Sequence, residues 1–202
     1  TLGTYYQAGI CVKKDEERGS SIYVDLAEKG HWGSKGVCHR FGYGPYLKSK
    51  EKAVECFRKG VEEEDEVSLF GLGECYLKGT GVDKDEVRAV ALLSQAADKG
   101  DAPAIFALAA CYMEGKGVDK DEVRAVALCS QAADKGFALA IGALGECYRD
   151  GRGVEKDEVK AIEYFKKAAD MGDEYAISTL KDMGIAYTPC PAKQEQQLQQ
   201  EE

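Results

Sequence analysis

Residues 108–136 read LAACYMEGKGVDKDEVRAVALCSQAADKG, and they decide the fold because they recur along the chain. Their Cys-Tyr pair returns as Cys75-Tyr76 and as Cys147-Tyr148, each 36 positions away. The segments Gly81–Gly100 and Gly117–Gly136 differ at a single position. A fixed period of this length is typical of a stacked repeat array, in which each unit contacts only its neighbours.

One unit, Asp101–Gly136, predicts two amphipathic helices joined by a glycine loop. The apolar residues in its first half follow the i, i+3, i+4 spacing of one helix face. We call this predicted helix A, and Gly115–Gly117 are suited to end it because glycine accepts left-handed backbone conformations. Asp121 is a good N-cap for a second helix, helix B, which Gly136 closes.

The same register extends over most of the chain and predicts five units, a final helix and a tail. The units are residues 1–30, 31–64, 65–100, 101–136 and 137–172, the capping helix is 173–183, and the polar Gln/Glu-rich tail is 184–202. The first unit lacks part of its helix A. The second is shortened, with one residue missing before Gly44 and one in the loop 44–46. Glu64 replaces its closing glycine, which predicts a turn that is less left-handed or differently capped.

The composition argues against several classes of function. A formal net charge of −9 works against nucleic-acid binding, which needs clustered Lys and Arg, and against binding to an anionic membrane. No apolar run approaches the roughly 18–20 residues that cross a bilayer. No signal-peptide pattern opens the chain. Because Thr1–Gly3 already lie inside a repeat, we expect a trimmed chain or a fragment.

The repeated residues resemble the Sel-1-like repeat family, a relative of the tetratricopeptide repeats. The third unit carries the family motif as Leu72-Gly73-x-x-Tyr76, Gly79-x-Gly81-Val82-x-x-Asp85, Ala89, Ala96-Ala97 and Gly100. Further copies run through 108–136, where Ala109 replaces a motif glycine, and through 144–172. The resemblance implies an all-α fold, a right-handed α/α superhelix of about five helix-loop-helix repeats with a C-terminal capping helix. It also implies an adaptor or scaffold without a cofactor.

The resemblance places a partner-binding surface on the concave side of the array, which the helices A line in tetratricopeptide-like stacks. The predicted positions lie on this side and outside the motif. They are Phe70, Glu74, Leu77 and Lys78 in the third unit, Phe106, Ala110, Met113 and Glu114 in the fourth, and Gly142, Glu146, Arg149 and Asp150 in the fifth. Phe70 and Phe106 are either interface anchors or residues that pack against the neighbouring helix. The carboxylates favour a protein or peptide partner with basic residues.

The cysteines are explained by packing. Cys75, Cys111 and Cys147 precede the motif tyrosine, and Cys56 and Cys129 fall at helix B core positions, so we predict reduced core thiols and favour a reducing, cytoplasmic compartment. Cys11, Cys38 and Cys190 have no equivalents in other units. A secreted, cysteine-rich subfamily of these repeats joins a cysteine late in helix B to one early in the next helix A. Here the late positions hold Ala97, Ala133 and Ala169.

Catalytic and metal-binding patterns are missing from the sequence. His31, Cys38 and His39 cluster in the second unit but lack the paired spacing of metal ligands. The glycine loops lack the strand–loop–helix context of a phosphate cradle, and no nucleophile–base arrangement is recognisable. We therefore predict neither an enzyme nor a metal or cofactor site.

Three functional hypotheses are open at this stage. The preferred one is a non-enzymatic protein-interaction scaffold that binds a partner along the concave helix A face. The second is a secreted, disulfide-linked repeat protein with small-molecule-binding or hydrolase-like activity, which titration of free thiols separates from the first. The third is a structural repeat segment of a larger protein or assembly.

Overall fold

Ten α-helices and no strand make up residues 16–188, the part of the chain that this computed structural model describes. In chain order they are α1 Glu16–Glu28, α2 Trp32–Phe41, α3 Lys50–Glu62, α4 Glu66–Lys78, α5 Glu86–Asp98, α6 Ala102–Glu114, α7 Glu122–Asp134, α8 Ala138–Asp150, α9 Glu158–Asp170 and α10 Glu174–Asp182. Each helix packs mainly against the next one along the chain. The prediction of an all-α repeat solenoid is confirmed.

The helices alternate between the two predicted types. Helices A are α2, α4, α6 and α8, helices B are α1, α3, α5, α7 and α9, and α10 stands where another helix A would begin. Residues 1–15 and 189–202 lie outside the described part of the chain. They include the start of the predicted first unit, with Leu2-Gly3 and Cys11, and most of the predicted tail, with Cys190.

The helix ends use the predicted capping residues. The Asp121 carboxylate accepts a hydrogen bond from the backbone N–H of Arg124 at 2.9 Å, which caps α7. Gly115 follows α6 in a left-handed conformation, with φ of 71°, and its N–H donates to the carbonyl of Cys111. Because each of these bonds joins residues close in the chain, the sequence was sufficient to predict them.

The second unit is shortened differently from the prediction. Gly42, and not Gly44, ends helix A, because its N–H donates to the carbonyl of Cys38 as the N–H of Gly79 does to Cys75. Helix α2 has 10 residues where α4 has 13, and the loop after it is one residue longer than the loop after Gly79. The predicted positions of the two missing residues were wrong. The prediction that Cys38 has no equivalent was also wrong, because it matches Cys75.

The turn at Glu64 is left-handed despite the missing glycine. Glu64 has a φ of 56°, against 88° for Gly100 at the equivalent position, and it is the sole non-glycine residue with a positive φ in residues 16–188. Its carboxylate also accepts a hydrogen bond from Lys99 of the next unit at 3.1 Å. Glu64 therefore adopts the left-handed turn that glycine forms at the other unit boundaries, although non-glycine residues normally avoid this conformation.

Successive units touch at the second glycine of each loop. A Cβ on Gly81 would lie 2.5 Å from the carbonyl oxygen of Lys50, and on Gly117 it would lie 2.2 Å from that of Glu86. Gly153 meets Glu122 in the same way, at 2.2 Å. Each of these three loops thus rests on the start of helix B in the preceding unit, at a distance that only glycine allows.

Candidate interaction surface on the helices A

The predicted partner-binding residues all lie on α4, α6 and α8, and they differ widely in exposure. Four are exposed, namely Lys78, Ala110, Glu114 and Asp150. Seven others are partly buried, and Gly142 is fully buried. The partly buried residues are Phe70, Glu74, Leu77, Phe106, Met113, Glu146 and Arg149. We call the side of the array formed by these residues the helix A face.

Phe106 packs between units. Its ring lies 5.5 Å from the ring of Phe137, the N-cap residue of α8. At the same register in the next unit, a Cβ on Gly142 would lie 2.9 Å from the Oδ2 of Asp173, which caps α10. This register therefore contacts the start of the following helix A. Of the two interpretations of Phe106, the structure supports packing against the neighbouring unit.

Phe70 occupies the same register in α4 and is also partly buried. Its ring packs against a cluster of buried side chains that includes Leu69, Leu93 and Ala104. The cluster draws on α4, α5 and α6, so Phe70 also contributes to the boundary between the third and fourth units.

Glu74 is already paired within the array. Its two carboxylate oxygens accept hydrogen bonds from Arg40 at 2.8 Å and Lys78 at 2.6 Å. Burial alone would raise the pKa of Glu74, but the two cations outweigh it and hold the pKa below its usual value. Because Arg40 lies on α2 and Glu74 on α4, this network ties neighbouring helices A together instead of leaving a carboxylate for a partner.

Two further predicted acids are paired locally. Asp150 accepts hydrogen bonds from its neighbour Arg149 at 2.8 Å and 3.2 Å, and the Glu114 carboxylate forms an ion pair with Lys116. Arg149 also interacts with the Tyr175 hydroxyl on α10. Glu146 forms no ion pair with any residue in 16–188, which leaves it as the acid best placed to meet a partner.

Two apolar residues on this face were not among the predicted positions. Leu139 is 50% exposed and Tyr175 is 52% exposed, and each lies five positions before the motif leucine of its helix, Leu144 or Leu180. Leu139 precedes Gly142 by three residues, so helical spacing alone places it near the predicted row. That spacing could have identified it, but the predicted positions began only two residues before the motif leucine.

The cysteines within residues 16–188 are poor candidates for reactive or metal-binding groups. Six of them, Cys38, Cys56, Cys75, Cys111, Cys129 and Cys147, are buried free thiols, as predicted for those assigned to the core. Burial raises the pKa of Cys38 and Cys111 to about 11 and that of Cys129 to about 12. A thiol that stays protonated at neutral pH is a poor nucleophile and a poor metal ligand.

The cluster at His31, Cys38 and His39 does not converge. Cys38 lies in the core, whereas the Nδ1 of His39 is 3.0 Å from the carbonyl oxygen of Leu47. Within residues 16–188, no three His, Cys, Asp or Glu side chains form a group that could hold a metal ion. Among the same residues, none of the helices is long and apolar enough to cross a membrane.

Several solved structures are similar to this chain. A Sel1 repeat protein from Oxalobacter formigenes is 32% identical, with a TM-score of 0.70, and the match covers 90% of this chain and 75% of that one. The protective antigen c5321 of uropathogenic Escherichia coli, which has an SLR fold, is 27% identical over 95% of this chain and 42% of its own, with a TM-score of 0.65. Cysteine rich protein B from Helicobacter pylori is 26% identical over 66% and 96%, with a TM-score of 0.52. No curated protein matches the sequence.

A family model agrees with the repeat register. The Sel1 repeat matches residues 2–19, 32–65, 67–101, 102–137 and 138–173, which together make up most of the chain. Its matches in the second to fifth units each span one helix A and the following helix B. The chain belongs to the Sel1 repeat family.

Proposed function

We propose that this chain is a non-enzymatic scaffold that binds a partner protein or peptide along the helix A face. Sel1 repeat proteins generally act as protein-interaction scaffolds, and their solenoid is typically non-enzymatic. The observation that carries the proposal is the exposure of Leu139 on α8 and of Tyr175 on α10, with Glu146 two turns after Leu139 on the same face of α8. Large exposed apolar groups beside charge are typical of interface anchors.

The geometry changes which of the predicted residues we expect a partner to contact. Phe70, Phe106, Glu74 and the buried Gly142 are engaged between units, so we assign them to the support of the surface. The remaining predicted positions stay in the proposed site, namely Leu77, Lys78, Ala110, Met113, Glu114, Glu146, Arg149 and Asp150, and Leu139 and Tyr175 join them. The net charge of −9 and the unpaired Glu146 favour a partner with basic residues.

The second hypothesis, a disulfide-linked secreted repeat protein, receives no support from the described cysteines. All six are free thiols in the core, and the late helix B positions that a pairing would need carry Ala97, Ala133 and Ala169. Titration of free thiols in the denatured, non-reduced protein tests this directly. A low thiol count would favour the secreted alternative.

Charge insertion on the helix A face tests the scaffold proposal. Ala110 and Leu139 are exposed, so the double variant Ala110→Arg/Leu139→Arg is expected to fold and to lose a partner with basic residues. The matched control is Ala91→Arg/Ala127→Arg, which adds the same charge at exposed positions of helices B.

The readout is affinity capture by the three proteins from a lysate of the source cells, quantified by mass spectrometry after circular dichroism has verified the fold. A protein retained by the native chain and the control but lost by the helix A variant supports the proposal. Equal recovery by all three would contradict a site on this face.

A further inference from the structure

Three valines form an exposed row along one edge of the array. Val87, Val123 and Val159 are 67%, 69% and 69% exposed, and each lies in the first turn of a helix B. They are 36 residues apart, so they occupy the same register in the third, fourth and fifth units. The same position of the repeat therefore exposes an apolar side chain to water in three successive units. The first turn of an exposed helix does not require an apolar residue there.

The repeat itself does not need valine at this register. Glu17 and Glu51 occupy it in the first and second units, and both are exposed. In the fifth unit, three other helix B positions differ from those of the third, with the exposed Glu163, Lys166 and Lys167 in place of Ala91, Ser94 and Gln95. Val159 is retained among these changes. The apolar row is therefore a property of the last three units and not of the fold.

Val123, the middle residue of the row, borders a cleft between the fourth and fifth units. Val123 lines an open cleft of ≈ 750 Å³ together with Tyr112, Val118 and Arg124, and Gly153 of the next unit closes one side. The Arg124 guanidinium lies over the Tyr112 ring, 4.4 Å from its centroid. A second cleft, of ≈ 450 Å³, is lined by equivalent residues of the fifth unit, including Tyr148 and Val154. The first cleft offers an apolar side formed by Tyr112, Val118 and Val123, and Asp119 lines the same cleft.

Some of the charged residues near the valines form ion pairs and others do not. Each loop lysine forms an ion pair with the acid two residues later, as in Lys84–Glu86 and Lys120–Glu122, both at 2.7 Å. The acid four residues before each valine is exposed and forms no ion pair within residues 16–188. These acids are Asp83, Asp119 and Glu155. Each valine is thus accompanied by one carboxylate that is available to an incoming cation.

We propose that this loop edge, defined by Val87, Val123 and Val159 with Asp83, Asp119 and Glu155, is a second docking surface. It binds a segment of a partner protein in which aliphatic side chains stand next to Lys or Arg. The aliphatic groups cover the valines, with one of them resting in the open cleft beside Val123, while the cations meet the unpaired carboxylates. The loop edge is separate from the helix A face, so one chain can hold two partners at once.

Titration with designed peptides tests this proposal on the full chain. The probe is a synthetic peptide with three Leu-Lys-Lys blocks joined by flexible Gly-Ser linkers, and the control peptide carries Leu-Glu-Glu blocks instead. We expect the basic peptide to bind, to shift the methyl NMR signals of the three valines, and to bind less tightly as salt is added. We expect the acidic peptide not to bind.

Two triple variants separate the apolar and charge contributions. Val87→Gln/Val123→Gln/Val159→Gln introduces the neutral analogue of the glutamate that the first two units carry at this register, so the fold is expected to persist and the affinity to fall by roughly tenfold or more with no change in charge. Asp83→Asn/Asp119→Asn/Glu155→Gln removes only the charges and is expected to weaken binding and its salt dependence.

The helix A variant Ala110→Arg/Leu139→Arg keeps the two proposals apart, because it is expected to bind the basic peptide as the native chain does. Unchanged affinity in the valine variant, or peptide-induced shifts confined to Leu139 and its neighbours, would overturn the loop-edge proposal. Absence of binding by the basic peptide would overturn it as well, while leaving the helix A proposal standing.

Discussion

Asp101 caps a helix through its carboxylate, but the same carboxylate is partly buried, and burial disfavours its charge. It caps α6, since its carboxylate accepts a hydrogen bond from the backbone N–H of Ala104 at 3.1 Å. Burial raises the pKa of Asp101, and the nearby carboxylate of Glu66 adds to this effect. The folded chain therefore holds the proton more tightly than the unfolded chain. Its stability falls as the pH rises from the ordinary aspartate value of about 3.9 through the raised pKa.

We predict that Asp101→Asn raises the thermal midpoint at pH 7, because asparagine keeps the cap and removes the buried charge. The gain should disappear below about pH 4, where the unfolded native chain also becomes protonated. The control is Asp121→Asn, which makes the same change at an exposed N-cap, and we expect it to be neutral or slightly destabilising. Thermal melts of both variants across pH 3–8 give the comparison. A gain that persists unchanged at pH 3 would contradict the burial explanation.

Residue-level predictions from sequence succeeded where the partner atom is close in the chain. The caps at Gly115 and Asp121 are examples, since each bond spans four residues or fewer. The role of Phe106 could not be decided in this way, because its partner Phe137 belongs to the next unit and replaces the usual capping aspartate there. The exposure of Leu139 and Tyr175 likewise depends on how far the following helix covers them.

At the scale of the helix pair, one substitution in the motif is matched by another across the interface. In the fifth unit a Cβ on Gly145 would lie 2.8 Å from the ring of Phe165, so a large helix B residue requires glycine on helix A. In the fourth unit Ala109 replaces this glycine, and the facing residue is the smaller Cys129. The volume added on one helix is removed from the other.

We predict that Cys129→Phe alone destabilises the chain by ~1–3 kcal/mol through overpacking against Ala109. Ala109→Gly alone should cost about 1 kcal/mol in helix propensity. The double variant recreates the Gly145–Phe165 arrangement of the fifth unit, so its loss should be clearly smaller than the sum of the two single losses. Urea unfolding of the four proteins measures this coupling. Additive losses would show that the two positions do not compensate each other.

Helix lengths were harder to predict than helix existence. The short α2 was recognised as divergent, but the deficit was assigned to the wrong places because Gly44 was aligned with the first loop glycine. The stretch Gly42-Tyr43-Gly44 has the same spacing as Gly79-Thr80-Gly81, so the correct register was present in the sequence. What the sequence did not contain was the three-dimensional contact of Gly36 with Phe57, which fixes that register independently.

At the scale of the whole molecule, the array was predictable because one unit determines its neighbours. The 36-residue period implies that every contact between units repeats, and the loop contacts of Gly81, Gly117 and Gly153 do so. The location of the interaction surfaces was less predictable. It depends on which positions are left uncovered after stacking and, on the helices A, on residues such as Leu139 that differ from unit to unit.

We predict that these loop contacts carry much of the coupling between units, and two glycines allow a matched test. Gly117 and Gly172 both have a left-handed φ, 69° and 87°, but an added Cβ would meet the carbonyl of Glu86 at Gly117 and nothing within 4 Å at Gly172. Gly172→Ala should therefore cost only the backbone strain, roughly 1–2 kcal/mol. Gly117→Ala should cost ~1–3 kcal/mol more and lower the hydrogen-exchange protection of α5, α6 and α7 together, because the seam between the third and fourth units is forced apart. Equal losses in the two variants, with exchange changes limited to the mutated turn, would mean that the units are held together by their helices alone.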